Sequence, residues 1–168
     1  MGTTQDLRGN INMIKLEILG KPMGKQRPNF SVAKGFVETY TPHKTQNYEN
    51  LVKYTYQNKY GNMAFQQHQQ LYAHIVAYFG IPKVHYRFHK RTNTTELDKI
   101  GKEMKDGLVR HTKKPDTDNI AKICLDSLNG IAYPDDSQIV RLVVDKYYAE
   151  EPKVIIEIYS KEETLEGC

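Results

Sequence analysis

Residues 115–136 run PDTDNIAKICLDSLNGIAYPDD, and the rest of the chain is arranged around them. Ile120, Ile123, Cys124 and Leu128 recur three to four residues apart, the spacing of an amphipathic helix, and Asn129-Gly130 ends the periodicity. The stretch therefore predicts about three turns of helix, a return through Ile131 to Tyr133, and a turn at Pro134-Asp135-Asp136 before the next strand. Carboxylates stand at both ends of this one short element: Asp116 and Asp118 before it, Asp135 and Asp136 after it. Like charges crowded together are unfavourable without a compensating cation, and an all-oxygen donor set selects a hard divalent ion such as magnesium.

Pro115 biases Lys114 towards extended backbone, so Asp116 and Asp118 are expected to begin on an extended segment. Residues two apart on such a segment face the same way, towards one ion. Asp116 or Thr117 is also placed to cap the helix, whose N-terminal dipole favours ionised carboxylates. Lys122 lies four residues after Asp118, on the same helical face. It reads equally as an ordinary surface salt bridge or as a cation that meets a scissile phosphate. Asp135 and Asp136 reach the front pair only if the chain doubles back over a helix of roughly 18 Å, and spacing alone leaves that open.

Outward from this centre the chain reads as strands and helices of one α/β domain. Val140, Leu142 and Val144 alternate along one strand; Val154, Ile156 and Ile158 alternate along the last, after a turn at Glu150-Glu151-Pro152. Upstream, residues 83–114 hold ten Lys or Arg against four acids, a local excess of six that exceeds the net charge of +4 for the whole chain. Leu97, Ile100, Met104 and Leu108 make part of this segment helical in pattern, and its position before the carboxylates makes phosphate guidance as good a reading as a solvated helix face.

Further upstream, Leu71, Ala73, Ile75, Ala77 and Phe79 alternate along a strand closed by Gly80 and Pro82. A helix is expected from Thr41-Pro42 to Tyr60, with Tyr48, Leu51, Val52, Thr55 and Tyr56 as its packed stripe and Gly61 as its stop. Phe30–Ala33 and Phe36–Thr39 read as a hairpin. Lys21 to Pro28 forms a basic loop whose two prolines keep it out of regular pairing and present Lys25 and Arg27. Ile14, Leu16 and Ile18 alternate with Lys15 and Glu17 in a first strand.

The 168 residues suit a single domain over residues 13–161, with a loose leader at 1–12 and a frayed tail at 162–168. The hydrophobic share of 39% and charged share of 26% fit a soluble globular protein, and a pI of about 8.9 permits a polyanionic partner. Cys124 and Cys168 suggest neither a disulfide framework nor a zinc site. No run is long enough to span a membrane and no secretion signal stands out, so a cytoplasmic protein without a membrane partner is expected.

A calcium loop of EF-hand type is disfavoured by Ile120 and Ala121, where a further oxygen ligand and then Gly should stand. Phosphotransferases and sugar-nucleotide transferases place paired Asp after a hydrophobic strand, whereas Arg110-His111-Thr112-Lys113-Lys114 precedes this pair. Phosphodiester hydrolysis fits better, since divalent ions on shared Asp ligands serve it and nearby cations hold the backbone.

Lys114-Pro115-Asp116-Thr117-Asp118-Asn119-Ile120-Ala121-Lys122, with Leu125 to Gly130, Tyr133 and Asp135 to Val140, resembles the RusA family of Holliday junction resolvases. Pro22 to Pro28, Thr41-Pro42 with Thr45 and Tyr48, and Ile81-Pro82 with the basic residues after it extend the likeness from Met13 to Ser160. The resemblance implies a small α/β (α+β) homodimer, a mixed sheet packed against helices, that binds four-way junction DNA. It implies symmetric cutting of two strands with magnesium, manganese being able to substitute, in DNA recombination and repair, with no nucleotide cofactor. Carried over, Asp116, Asp118 and Asp136 would ligate metal, Asp135 would assist, and Lys122 would be the essential cation. Lys25, Arg27, Lys90, Arg91, Lys113, Lys114 and Lys146 would contact DNA. Asn29 stands where the family often has Arg, so the N-terminal loop is expected to bind DNA more weakly or differently. A junction-binding protein that does not cut, a less selective metal-dependent nuclease, and a nucleotide-using transferase are the rival readings.

Overall fold

Strand β4 (Leu71–Gly80) is the central feature of the computed structural model, which describes residues 11–27, 29–33, 36–40 and 42–160. Its odd-numbered residues Leu71, Ala73, Ile75, Ala77 and Phe79 are all buried, as the alternation predicts. On one side β4 pairs antiparallel with β8 (Lys153–Tyr159), and β8 pairs antiparallel with β1 (Met13–Leu19). On the other side it pairs in parallel with β7 (Ile139–Ala149), which gives a four-stranded mixed sheet in the order β1-β8-β4-β7. Strands β1, β4 and β7 therefore point the same way, and the loops that follow them leave from one end of the sheet.

One face of the sheet carries Ile14, Leu16, Ile18, Val154, Ile156 and Ile158 in register across β1 and β8, all fully buried. Each such side chain contributes about 1.5–3 kcal/mol of burial, so the period-two pattern is the principal local determinant of the sheet. Helices α1 (His43–Tyr60) and α3 (Thr117–Leu128) cover this face and pack on each other. In α1 the buried stripe is Thr45, Tyr48, Val52, Tyr56 and Tyr60, so the tyrosines are core, whereas Leu51 is 42% exposed. The stripe is rotated from the expected one because Thr45 and Tyr60, not Leu51, lie on the line of closest approach. The α3 stripe is buried as expected, and burial pushes the Cys124 thiol up to about 12, so it behaves as packing. Ile11 also packs in this core, two residues before the expected start of order.

The backbone of β2 (Asn29–Ala33) and β3 (Phe36–Tyr40) forms the expected hairpin. Between β4 and α3 the chain makes a single 3-10 turn (Lys83–His85), a second hairpin of β5 (Tyr86–His89) and β6 (Thr94–Leu97), and a short helix α2 (Lys99–Lys105). The expected helical pattern there is real only in part. Leu97 ends β6 and the exposed Leu108 follows α2, while within α2 Met104 is buried and Ile100 faces away from the core. Likewise Val140 and Leu142 of the edge strand β7 remain exposed. Among the described residues no helix is long and apolar enough to cross a membrane. The expected leader is described only from Ile11, and the tail at 162–168 lies outside the described residues.

Candidate active site

Helix α3 begins immediately after Asp116, whose backbone is extended (φ −74°, ψ 155°) and whose carboxylate makes no capping bond. Asp118 lies already in the first helical turn, so the two acids share the helix start rather than an extended segment. Both are exposed, and among the described residues no hydrogen bond or ion pair engages either carboxylate. Lys122 follows one turn later, exposed and without an ion pair among the described residues, so the surface salt bridge is not formed.

Three braces hold this helix start. The loop after β1 lies against it: the Lys25 amide donates to the Asn119 carbonyl at 2.8 Å, and a Cβ on Gly24 would stand 2.7 Å from Pro115 Cβ and 3.0 Å from Asn119 Cβ. Only glycine permits that approach. Lys146 of β7 supplies the second brace, its Nζ donating to the carbonyls of Lys113 (2.7 Å) and Pro115 (3.0 Å). The Lys114–Pro115 peptide between them is cis.

The third brace is the approach to this segment. Arg110 bonds the Lys146 carbonyl at 2.8 Å and Asp145 at 2.5 Å, and lies over the Tyr147 ring at 3.5 Å. His111 stacks on Phe79 at 3.7 Å and meets the edge of Tyr148. Burial, with Lys146 and Lys113 nearby, lowers the His111 pKa and keeps the ring neutral.

The loop and the helix start enclose an open cleft of about 610 Å³ lined by Lys21, Arg27, Lys114 and Asp116 among others. Its charged lining residues are the cations Lys21, Lys25, Arg27 and Lys114 and one acid, Asp116. Arg27 is exposed there, while the Lys25 ammonium is half-buried between Glu49 (2.5 Å) and Asp126 (3.1 Å). Burial opposes the Lys25 charge, but the two carboxylates more than offset it and its pKa is raised. Lys113 and Lys114 are exposed beside the cleft, and Lys90 and Arg91 lie at the tip of the β5–β6 hairpin.

The downstream acids are elsewhere. Asp135 caps a single 3-10 turn (Asp136–Gln138), its carboxylate accepting the Ser137 amide at 2.9 Å, and the Ser137 side chain first and this amide second hold its pKa below the usual range. Asp136 is exposed. The turn is tied to the C-terminal end of α3 and the start of β4: Ala132 N bonds Leu128 O, Phe65 N bonds Ala132 O, and Gln138 Nε2 bonds the carbonyls of Gln66 and Gln69. The twelve residues of α3 are about 18 Å long, so Asp136 stands at the far end of the helix from Asp116 and Asp118. Among the described residues no three His, Cys, Asp or Glu side chains gather as a metal-binding group.

Sequence reasoning missed Gly24, Arg110 and His111. Nothing local marks them, since each matters through a contact with residues distant in sequence.

An exposed acid pair on a braced helix start, beside a cleft that carries several cations, is a layout compatible with a phosphate ester. The family model for Endodeoxyribonuclease RusA matches residues 20–159, and the chain belongs to that family of nucleases. It is also 32% identical over 148 residues to the uncharacterized protein YqaN of Bacillus subtilis (strain 168), a match that covers 88% of this chain and 96% of that one.

Proposed function

We propose that the protein is a magnesium-dependent, structure-selective endodeoxyribonuclease that resolves four-way (Holliday) junctions by paired strand cleavage. The observation that carries this reading is the pair of unengaged carboxylates, Asp116 and Asp118, on a helix start braced from two sides and bordered by cations. Two free carboxylates offer oxygen donors suited to magnesium or manganese. They make half a site, because Asp136 cannot join them within one chain. A two-fold dimer that sets the far end of α3 in one copy against the helix start of the other would bring Asp136 of a second copy to Asp116 and Asp118. Such a dimer also matches the two-fold symmetry of a four-way junction.

A divalent ion bound there would offset the charge that builds on the phosphodiester during hydrolysis. The chain itself would do the rest. Lys122 would neutralise the scissile phosphate one turn from the acids. Arg27, Lys113 and Lys114 would hold the flanking backbone, and Lys146 would keep the Asp116 segment in place through its two carbonyl bonds.

The test is cleavage of four-way, flap and linear duplex substrates in magnesium, in calcium and with chelator. Junction cutting in magnesium that is absent with chelator is expected. Equal cutting of all three substrates would leave a nuclease and remove the resolvase claim, whereas junction binding with no cutting under any metal would favour a non-cleaving binder.

A further inference from the structure

The β5–β6 hairpin stands out from the body as a short ribbon. Its base is rigid: Asp98 N donates to His85 O at 2.8 Å, Asp98 caps α2 through the Gly101 amide at 2.8 Å, and His85 Nδ1 lies 3.2 Å from the same carboxylate. Gly101 allows this closeness, since a Cβ there would meet His85 Cβ at 3.1 Å and Leu97 Cδ2 at 3.0 Å. Register pairs Tyr86 with Leu97, Arg87 with Glu96, Phe88 with Thr95 and His89 with Thr94. Tyr86 and Leu97 anchor one face by packing against the core. Phe88 lies on that same face one step farther out, beyond the body, and is 59% exposed; Val84 at the base is 67% exposed.

Two features of the ribbon have no structural use. Lys83, Arg87, Lys90 and Arg91 put four cations into residues 83–95 without a single Asp or Glu. Among the described residues only Arg87 of these approaches a carboxylate, Asp98 at 3.8 Å. An aromatic ring left in water is also costly on so small an element. Cations flanking an exposed aromatic side chain are the composition of a surface on which nucleic-acid bases stack between held phosphates. The ribbon follows β4 and the Gly20–Arg27 loop follows β1, so both leave the end of the sheet at which the Lys146-braced Asp116 segment lies.

We propose that this ribbon is a branch-point reader: Phe88 stacks on a base exposed where duplex arms meet, while Lys83, Arg87, Lys90 and Arg91 hold the adjoining phosphates. The assignment rests on the junction-nuclease reading and names the element that separates branched from linear DNA. Continuous duplex offers no free base face, so Phe88 adds nothing there, whereas the cations act on both substrates.

The experiment compares Phe88→Ala, Phe88→Trp and the double variant Lys90→Gln/Arg91→Gln by fluorescence anisotropy in calcium, on a four-way junction and on linear duplex of the same sequence. Phe88→Ala is expected to weaken junction binding by about tenfold and duplex binding by less than about twofold, with no change in the salt slope, and Phe88→Trp to restore junction binding. Lys90→Gln/Arg91→Gln is expected to weaken both substrates alike and reduce the salt slope by about two. Phe88 is exposed, so folding is not at stake, and an unchanged melting curve verifies that. Phe88→Ala that binds the junction like the wild type, or loses the same factor on duplex, overturns the ribbon's role while wild-type junction cutting leaves the function intact. Wild-type protein that binds no DNA overturns both.

Discussion

The two ends of α3 carry the same chemical groups in opposite settings. At the N-terminal end, backbone and lysine contacts from β1 and β7 do the holding, and the Asp116 and Asp118 carboxylates are left unengaged. At the C-terminal end an acid does the holding: Asp135 accepts the Ser137 amide and shapes the turn, while the exposed Asp136 carboxylate has no hydrogen bond or ion pair among the described residues. Acids used as turn-formers explain themselves structurally. The contrast sets Asp116 and Asp118, whose segment is held by other groups while their carboxylates stay unengaged among the described residues, apart from Asp135.

The strongest test of this contrast is charge removal. Asp116→Asn or Asp118→Asn is expected to reduce junction cleavage in magnesium by on the order of 10²–10³ or more while binding in calcium persists. Asp136→Asn should match that loss, and Asp135→Asn should lose less. If Asp136 acts from a second copy, mixing Asp116→Asn with Asp136→Asn chains restores about a quarter of the wild-type sites, because half the dimers are mixed and each has one intact set. Cleavage that stays absent in the mixture would place all three acids in one chain and break the contrast.

The next effect is on the braces. Gly24→Ala pushes a methyl group against Pro115 and Asn119, and is expected to destabilise the protein by about 1–3 kcal/mol in chemical denaturation and to lower cleavage more than binding. Lys146→Met removes both carbonyl bonds to the Asp116 segment; the same split, cleavage lost before binding, distinguishes a brace from a direct DNA contact, which would lose binding first.

At the other end, Tyr133→Phe deletes a buried bond from its hydroxyl to Leu125 O (2.8 Å) and is expected to cost about 1 kcal/mol with cleavage unchanged. The smallest effect is on pH. His111 has a folded-state pKa below its ordinary 6.5, so the unfolded chain binds the proton first and stability falls as pH drops below that value, down to the folded pKa. Melting temperature measured across this range should decline on the acid side, and His111→Phe should lessen the decline.

Much of this was legible without coordinates. The strands of the sheet, the two long helices, the Asn129-Gly130 stop and the tyrosine core of α1 follow from periods of 2 and 3.6, which are local properties of a chain. The β5–β6 ribbon was not legible, because its strands are four residues each and the alternation of Tyr86 and Phe88 with Arg87 and His89 is too short to establish a period. Gly24 was silent for a related reason: its need for a missing Cβ arises from Pro115 and Asn119, more than ninety residues away in sequence.

The sequence by itself determined the chemistry of the site: two pairs of acids, the lysine one turn after Asp118, and the basic segments that precede them. Only the tertiary structure decided the arrangement. A helix is a rod of fixed length, and Gln138 ties the turn after it to the start of β4, so the pairs are kept at its opposite ends rather than folded together.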